Sequence, residues 1–144
     1  AGIPHEELFF DAEPTMTGEE IALSQGEDPD AVFKTLVTQG KSGGYYVFLV
    51  PVAAELDLKK AAAAAGEKAI AMIKARELLP LTGYVHGGCS PIGMKKPFPT
   101  YIHDTCLRFP YIYISAGQRG LQLKLDPKDL VKEVRAEVCV LFNE

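Results

Sequence analysis

One lysine, one glycine-rich loop and a scatter of histidine and cysteine are the parts of this sequence able to do chemistry. The stretch Thr82 to Ile102, TGYVHGGCSPIGMKKPFPTYI, sets Gly87 and Gly88 ahead of Cys89, Ser90 and Pro91. Paired glycines let the backbone turn sharply and approach a ligand with its amides pointing outward. Lys95 and Lys96 follow, and Pro97 and Pro99 stiffen the exit, so this is a loop built to hold something rather than a connector. His86 and Cys89 repeat as His103 and Cys106, two H-x-x-C pairs with the letters of a zinc site. The first pair spans two glycines and the second lies beyond an expected strand, which favours coincidence, with Cys106 and Cys139 as small buried residues. Cys89 could serve as a nucleophile if loop amides lowered its pKa, but no histidine and carboxylate are placed by sequence to assist it. Ser90 lies outside a G-x-S-x-G elbow, which argues against a serine hydrolase. Gly40-Lys41-Ser42 looks like the end of a phosphate loop, yet Thr35 stands where that motif needs glycine. Lys34 sits alone among Phe33, Leu36 and Val37. Pattern alone favours a solvent-facing lysine on a strand, while a turn of that side chain toward the glycine loop would let its ammonium neutralise a phosphate or polarise a carbonyl.

The elements that must position these groups follow from pattern. Ile3 to Phe10 reads as a short strand, and Thr17 with Glu20 has capping-box spacing for a helix from about Gly18 to Gln25, stopped by Gly26. Asp28-Pro29 starts a helical turn leading to Phe33. Phe33 to Thr38 and Tyr45 to Val50 flank Gly40 to Gly44 as an antiparallel hairpin. Asp57 caps a helix over Leu58 to Ala65, closed by Gly66. Ala69 to Leu79 is ambiguous: Ala69 to Ile73 suits a buried strand, and Arg76 to Leu79 a helical turn ended by Pro80. Thr100 to Ile102 is β-rich. Tyr111 to Ser115 alternates, as do Leu121, Leu123 and Leu125 after Gly117-Gln118-Arg119-Gly120, giving a second hairpin. Asp126-Pro127 opens a last helix to about Arg135, and Val138 to Phe142 reads as a closing strand. The expected class is α+β: a single compact domain over 1–144 with a central mixed, largely antiparallel curved sheet of about six or seven strands flanked by short helices.

Composition bounds the function. The chain has 144 residues, 47% hydrophobic and 24% charged, with a formal charge of −4. That balance excludes the strong basic field of a stand-alone, high-affinity nucleic-acid binder, so RNA contact would be local or helped by a partner. Three cysteines make no disulfide framework and fit a reducing compartment. The longest apolar run, Tyr45 to Ala54, contains Pro51 and is about half a membrane span. A start at Ala1 rather than Met suggests that preceding residues are missing.

An ordered set of motifs then carries a resemblance. Phe33-Lys34-Thr35-Leu36, Val50-Pro51-Val52-Ala53, Leu56-Asp57-Leu58-Lys59-Lys60, Thr82-Gly83-Tyr84, Gly87-Gly88-Cys89-Ser90-Pro91-Ile92-Gly93, Pro99-Thr100 and Ile114-Ser115-Ala116-Gly117-Gln118-Arg119-Gly120-Leu121 occur in the order seen in the YbaK/EbsC family. These are free-standing aminoacyl-tRNA deacylases related to the editing insertion domain of bacterial prolyl-tRNA synthetases. The match runs from about Phe10 to Val134, and the chain resembles a member lacking most of its N-terminal helix.

The resemblance implies a cytoplasmic trans-editing hydrolase that deacylates mischarged tRNA, above all Cys-tRNA(Pro) or Cys-tRNA(Cys), with no cofactor and no metal. It implies catalytic roles for Lys34, Gly87, Gly88 and Ser90. Phe10, Thr35, His86, Cys89, Pro91, Ser115, Gly117, Arg119 and Gln122 are implied to contact the aminoacyl ester and the 3′ end of the tRNA. The family's mechanism needs no protein nucleophile, because the cysteinyl thiol attacks its own carbonyl and leaves as a thiolactone. Prolyl-tRNA synthetase is the implied partner. Where the cysteine-specific members carry a tyrosine and an aspartate, this chain has Phe10 and Gln122, so a deacylase for Ala-tRNA(Pro) or another small aminoacyl-tRNA is an alternative. A non-catalytic module that binds tRNA or a synthetase is the alternative of another class.

Overall fold

The computed structural model of the chain describes residues 4–9, 26–84, 90–92, 94, 98–116 and 121–143. Its central piece is the first hairpin, β2 (Phe33–Gly40) and β3 (Tyr45–Pro51), antiparallel from Phe33 opposite Pro51 to Gln39 opposite Tyr45. β-branched and aromatic residues fill both strands, and Gly43 takes a φ of 97° in the connecting turn, a conformation that favours glycine. The turn is clamped from outside. Glu67 accepts hydrogen bonds from Ser42 N at 3.1 Å, from the Ser42 hydroxyl and from Tyr46 OH at 2.6 Å.

Asp57 caps α1 (Leu58–Ala65) by accepting from Lys59 N at 2.9 Å and Lys60 N at 3.2 Å, and Gly66 closes it in the left-handed conformation at φ 73°. The ambiguous stretch resolves into β4 (Ile70–Met72) followed by α2 (Ala75–Thr82). The expectation that Pro80 ends the helical turn is corrected, since the helix runs two residues beyond it. Pro80 and Arg76 are exposed, so water can satisfy the carbonyl of Arg76 that Pro80 cannot serve. The final turn is held by Thr82 Oγ1 donating to Leu78 O and Gly83 N donating to Leu79 O, both at 2.8 Å.

β5 (Thr100–His103) pairs parallel with β3, and β8 (Glu137–Cys139) pairs parallel with β5, giving a five-stranded sheet of order β4-β2-β3-β5-β8. The closing strand is shorter than Val138 to Phe142. Past Cys139 the backbone of Leu141 has other partners: its N–H donates to His103 Nδ1 at 3.0 Å and its carbonyl accepts from Asp57 N at 2.8 Å. The second hairpin, β6 (Ile112–Ser115) and β7 (Leu121–Leu125), forms as expected, and β1 (His5–Phe9) adds to β7 in a three-stranded antiparallel sheet. The expected α+β class with short helices holds, and the described strands number eight, close to the six or seven expected, divided between two sheets. A parallel bridge from Val32 to Tyr113 joins the two. After β7, Asp126 caps α3 (Pro127–Val134) as its Asp-Pro pair predicts.

The five-stranded sheet is covered on both faces. Phe33, Val37, Leu49 and Ile102 meet Ile112, Ile114, Leu125 and Leu130 on one face, while Phe48 and Val50 meet Ala61, Ile70 and Leu141 on the other. Burial on both sides explains why β3 is a continuous apolar run rather than an alternating one. Burying a side chain such as Phe48 contributes about 2–3 kcal/mol.

Candidate active site

Lys34 enters the site region through strand alternation. Phe33 and Val37 point into the core shared with β6 and β7, which sends Lys34 and Leu36 to the opposite face, beside their partners Val50 and Phe48. Lys34 is half-buried, and that burial lowers its ammonium pKa while the charge of Glu55 partly restores it. The solvent-facing reading of this residue is thus only half right. Its ammonium is a partly desolvated cation, which strengthens its interaction with any anion brought beside it.

Thr35 lies on the other face, opposite Leu49. Its Oγ1 is buried and has no hydrogen-bond partner among the described residues. Buried hydroxyls left in that state are uncommon.

The stem of the glycine loop packs against this Thr35 face. Ser90 is 2% exposed and its hydroxyl accepts from Ile92 N at 3.2 Å, while Pro91 is buried. Tyr84 OH donates to Ile92 O, and Tyr84, Ile92, Met94 and Phe98 pack on the core that contains Phe33 and Leu49. Ser90 is therefore tied into its own turn, and Thr35 and the 90–92 stem border one core. Lys34 leaves β2 on the other side. His86, Gly87, Gly88 and Cys89 lie outside the described residues, as do Phe10, Gly117 and Arg119.

Ser115 and Gln122 are brought together directly, as opposed residues of β6 and β7, with Leu8 of β1 opposite Gln122 on its other side. Their row faces away from Ile112, Ile114 and Leu125, which enter the core. Gln122 is nonetheless only 5% exposed. With its amide nitrogen turned toward Glu27, an orientation set by hydrogen-bonding sense, it donates to both carboxylate oxygens at 3.2 and 3.1 Å. Burial raises the Glu27 pKa above the usual carboxylate range, against the hydrogen bond from Gln122 and the charge of Lys124. Sequence reasoning passed over Glu27. It stands between Gly26, at φ 71°, and the cap residue Asp28, and no motif marks it.

The remaining nucleophile and metal candidates are occupied otherwise. Burial pushes the Cys106 and Cys139 thiols up to about 11, so neither is a thiolate at neutral pH. His103 is fully buried, stacks on Phe142 at 3.9 Å, receives Leu141 N on Nδ1 and sets Nε2 3.4 Å from Asp104. Among the described residues no three His, Cys, Asp or Glu groups gather as for a metal ion. An open cleft of about 590 Å³ near the start of α1 is bordered by Asp30, Glu55, Asp57 and Phe142, an acidic wall that repels phosphate.

Residues 12–133 match the family model described as the aminoacyl-tRNA editing domain. The chain is 43% identical over 130 residues, 90% of its length and 79% of the relative's, to a protein of Enterococcus faecalis assigned by name as a Cys-tRNA(Pro)/Cys-tRNA(Cys) deacylase, EbsC. It is also 28% identical over 127 residues, 85% of this chain and 80% of the other, to the protein YwhH of Bacillus subtilis. A crystal structure described as a trans-editing enzyme for prolyl-tRNA synthetase superposes with a TM-score of 0.87 at 29% identity, covering 97% of this chain and 87% of that one. The two-sheet architecture and the match along most of the sequence agree: this chain belongs to the aminoacyl-tRNA editing domain family and is an editing hydrolase.

Proposed function

We propose that this protein deacylates Cys-tRNA(Pro) or Cys-tRNA(Cys) in trans, as one editing unit working in the cytoplasm beside prolyl-tRNA synthetase. The observation that carries the reading is the 43% identity to EbsC across 90% of the chain. The substrate thiol adds to its own ester carbonyl, the C–S bond forms, the ester C–O bond breaks, and the thiol proton passes to the departing ribose oxygen. A thiolactone and free tRNA result, and water opens the thiolactone to cysteine. Proximity supplies much of the barrier reduction for such an intramolecular attack.

The protein's part is to hold and stabilise. Amides of the Gly87-Gly88 loop receive the oxyanion that develops on the carbonyl. Ser90 and Pro91 fix the stem of that loop, with His86 and Cys89 beside the acyl group. The Lys34 ammonium, partly desolvated on the face of β2 away from the loop stem, meets the terminal ribose or a phosphate of the tRNA. Thr35, whose hydroxyl has no partner among the described residues, offers it to the substrate. Phe10, Ser115, Gly117 and Gln122 line the opposite wall, and Arg119 meets the RNA. With a net charge of −4, tight RNA binding needs help, which the synthetase provides. No described helix is long and apolar enough to cross a membrane.

Incubation with labelled Cys-tRNA(Pro) tests the reading. The wild type releases cysteine catalytically, and Lys34→Ala lowers kcat/KM by roughly 10–100-fold, the loss typical of a hydrogen bond to a charged group. Charged tRNA that persists at stoichiometric protein would replace the enzyme with a binding module. Faster release of alanine than of cysteine would move the substrate to Ala-tRNA(Pro).

A further inference from the structure

The row Leu8, Gln122, Ser115 carries an unassigned carboxylate. Glu27 takes two hydrogen bonds from the Gln122 amide, at 3.2 and 3.1 Å, and a carboxylate has about four lone-pair sites. Two directions are therefore left unfilled by the described residues. The cation nearest in kind, Lys124, is engaged elsewhere: its Nζ lies 3.7 Å from Glu6 Oε2 and 5.0 Å from the centre of the Tyr111 ring. It acts on Glu27 only as the smallest of the influences on that carboxyl, and burial outweighs it. Gln122 is 5% exposed, so its amide is locked toward Glu27, and Ser115 borders the same spot across the ladder. A half-buried carboxylate, held by a fixed amide beside a hydroxyl-bearing residue, suits a small cation that donates hydrogen bonds.

The geometry points to Glu27 as the residue that binds the α-ammonium group of the aminoacyl ester, with Gln122 as its positioning residue. This rests on the deacylase reading above and deepens it. Every aminoacyl-tRNA carries that ammonium beside the scissile carbonyl, whereas uncharged tRNA and acyl esters without an amine do not. Glu27 gives the site a means of recognising the charged 3′ end whatever the side chain.

The test compares kcat/KM for cysteinyl-tRNA(Pro) with that for its α-hydroxy counterpart, in which a neutral hydroxyl replaces the ammonium at nearly equal size. The wild type prefers the ammonium substrate by on the order of ten- to a hundredfold, the range of a hydrogen bond between charged groups. Glu27→Gln brings that ratio close to one and leaves the α-hydroxy substrate within about threefold of wild type. Gln122→Ala lowers the ratio partway. Glu6→Gln, which alters a charge on the far side of Lys124, keeps the wild-type ratio. An unchanged ratio in Glu27→Gln, or an equal loss on both substrates, overturns the assignment while leaving the deacylase intact. A wild type inactive on both esters removes the deacylase reading and this assignment with it.

Discussion

Glu67 shows how much one side chain can organise outside any active site. Its carboxyl is held below the usual range by hydrogen bonds from the Ser42 hydroxyl, Tyr46 OH and Ser42 N, and Tyr46 is raised in return, chiefly by the same bond. A carboxyl whose folded pKa is depressed contributes stability above its unfolded value and loses it as the pH falls through that value and then the folded one. Followed by circular dichroism, the wild type is therefore expected to lose stability as the pH falls from the ordinary carboxylate range toward the depressed Glu67 value. Glu67→Gln flattens that limb. Gly40 belongs to the same clamp, because a Cβ there would come within 2.3 Å of the Glu67 side chain and push it out of the turn. The cysteines answer a different question at this scale. Cys106 is fully buried with its thiol near 11, so at pH 7 its thiolate fraction is on the order of 10⁻⁴. Alkylation of the native protein by iodoacetamide is expected to spare Cys106, and mass spectrometry showing its rapid modification would contradict its place in the core.

Elements were legible where local chemistry decides them. Asp57 and Gly66 bracket α1 at the positions the letters give, and Asp28-Pro29 and Asp126-Pro127 open their turns as expected. Asp57→Ala removes an acceptor shared by two amides, Lys59 N and Lys60 N, and is expected to cost about 1 kcal/mol in urea unfolding at unchanged slope. The N–H of residue 57 that reaches the Leu141 carbonyl is backbone and survives the substitution, so a cost well above this would contradict a purely capping role. Pro80 and β8 were misread because hydrogen-bond partners overrule propensity, local ones for Pro80 and a distant one for β8. Thr82 and Gly83 carry the last turn of α2 past the proline, and His103 takes the amide of Leu141 that a longer strand would have used. Nothing within a few residues of Leu141 announces a histidine 38 positions away.

At the scale of the molecule, alternation identified both hairpins but could not say that their strands split into two sheets. The three-stranded sheet is completed by β1 reaching β7, and Val32 meeting Tyr113 ties it to the other, both pairings between distant parts of the chain. The site was legible in the same uneven way. The paired strand positions of Ser115 and Gln122 follow from the second hairpin, whereas Glu27 comes from a stretch with no signature and meets Gln122 only through the fold. Lys34 was visible as an oddity among apolar neighbours, but its partial burial and the influence of Glu55 required coordinates.

The β1–β7 ladder closes residues 5–9 onto 121–125, the longest loop in either sheet, around a strand whose outer edge has no further neighbour among the described residues. Contacts so remote are expensive to nucleate and tend to come late. On dilution from denaturant, far-ultraviolet signal is expected to return first, with ester-cleaving competence trailing it until Leu8 docks beside Gln122. Tethering that N-terminal strand covalently to its neighbour would abolish the delay, making the maturation time of the enzyme a property of its outermost ribbon.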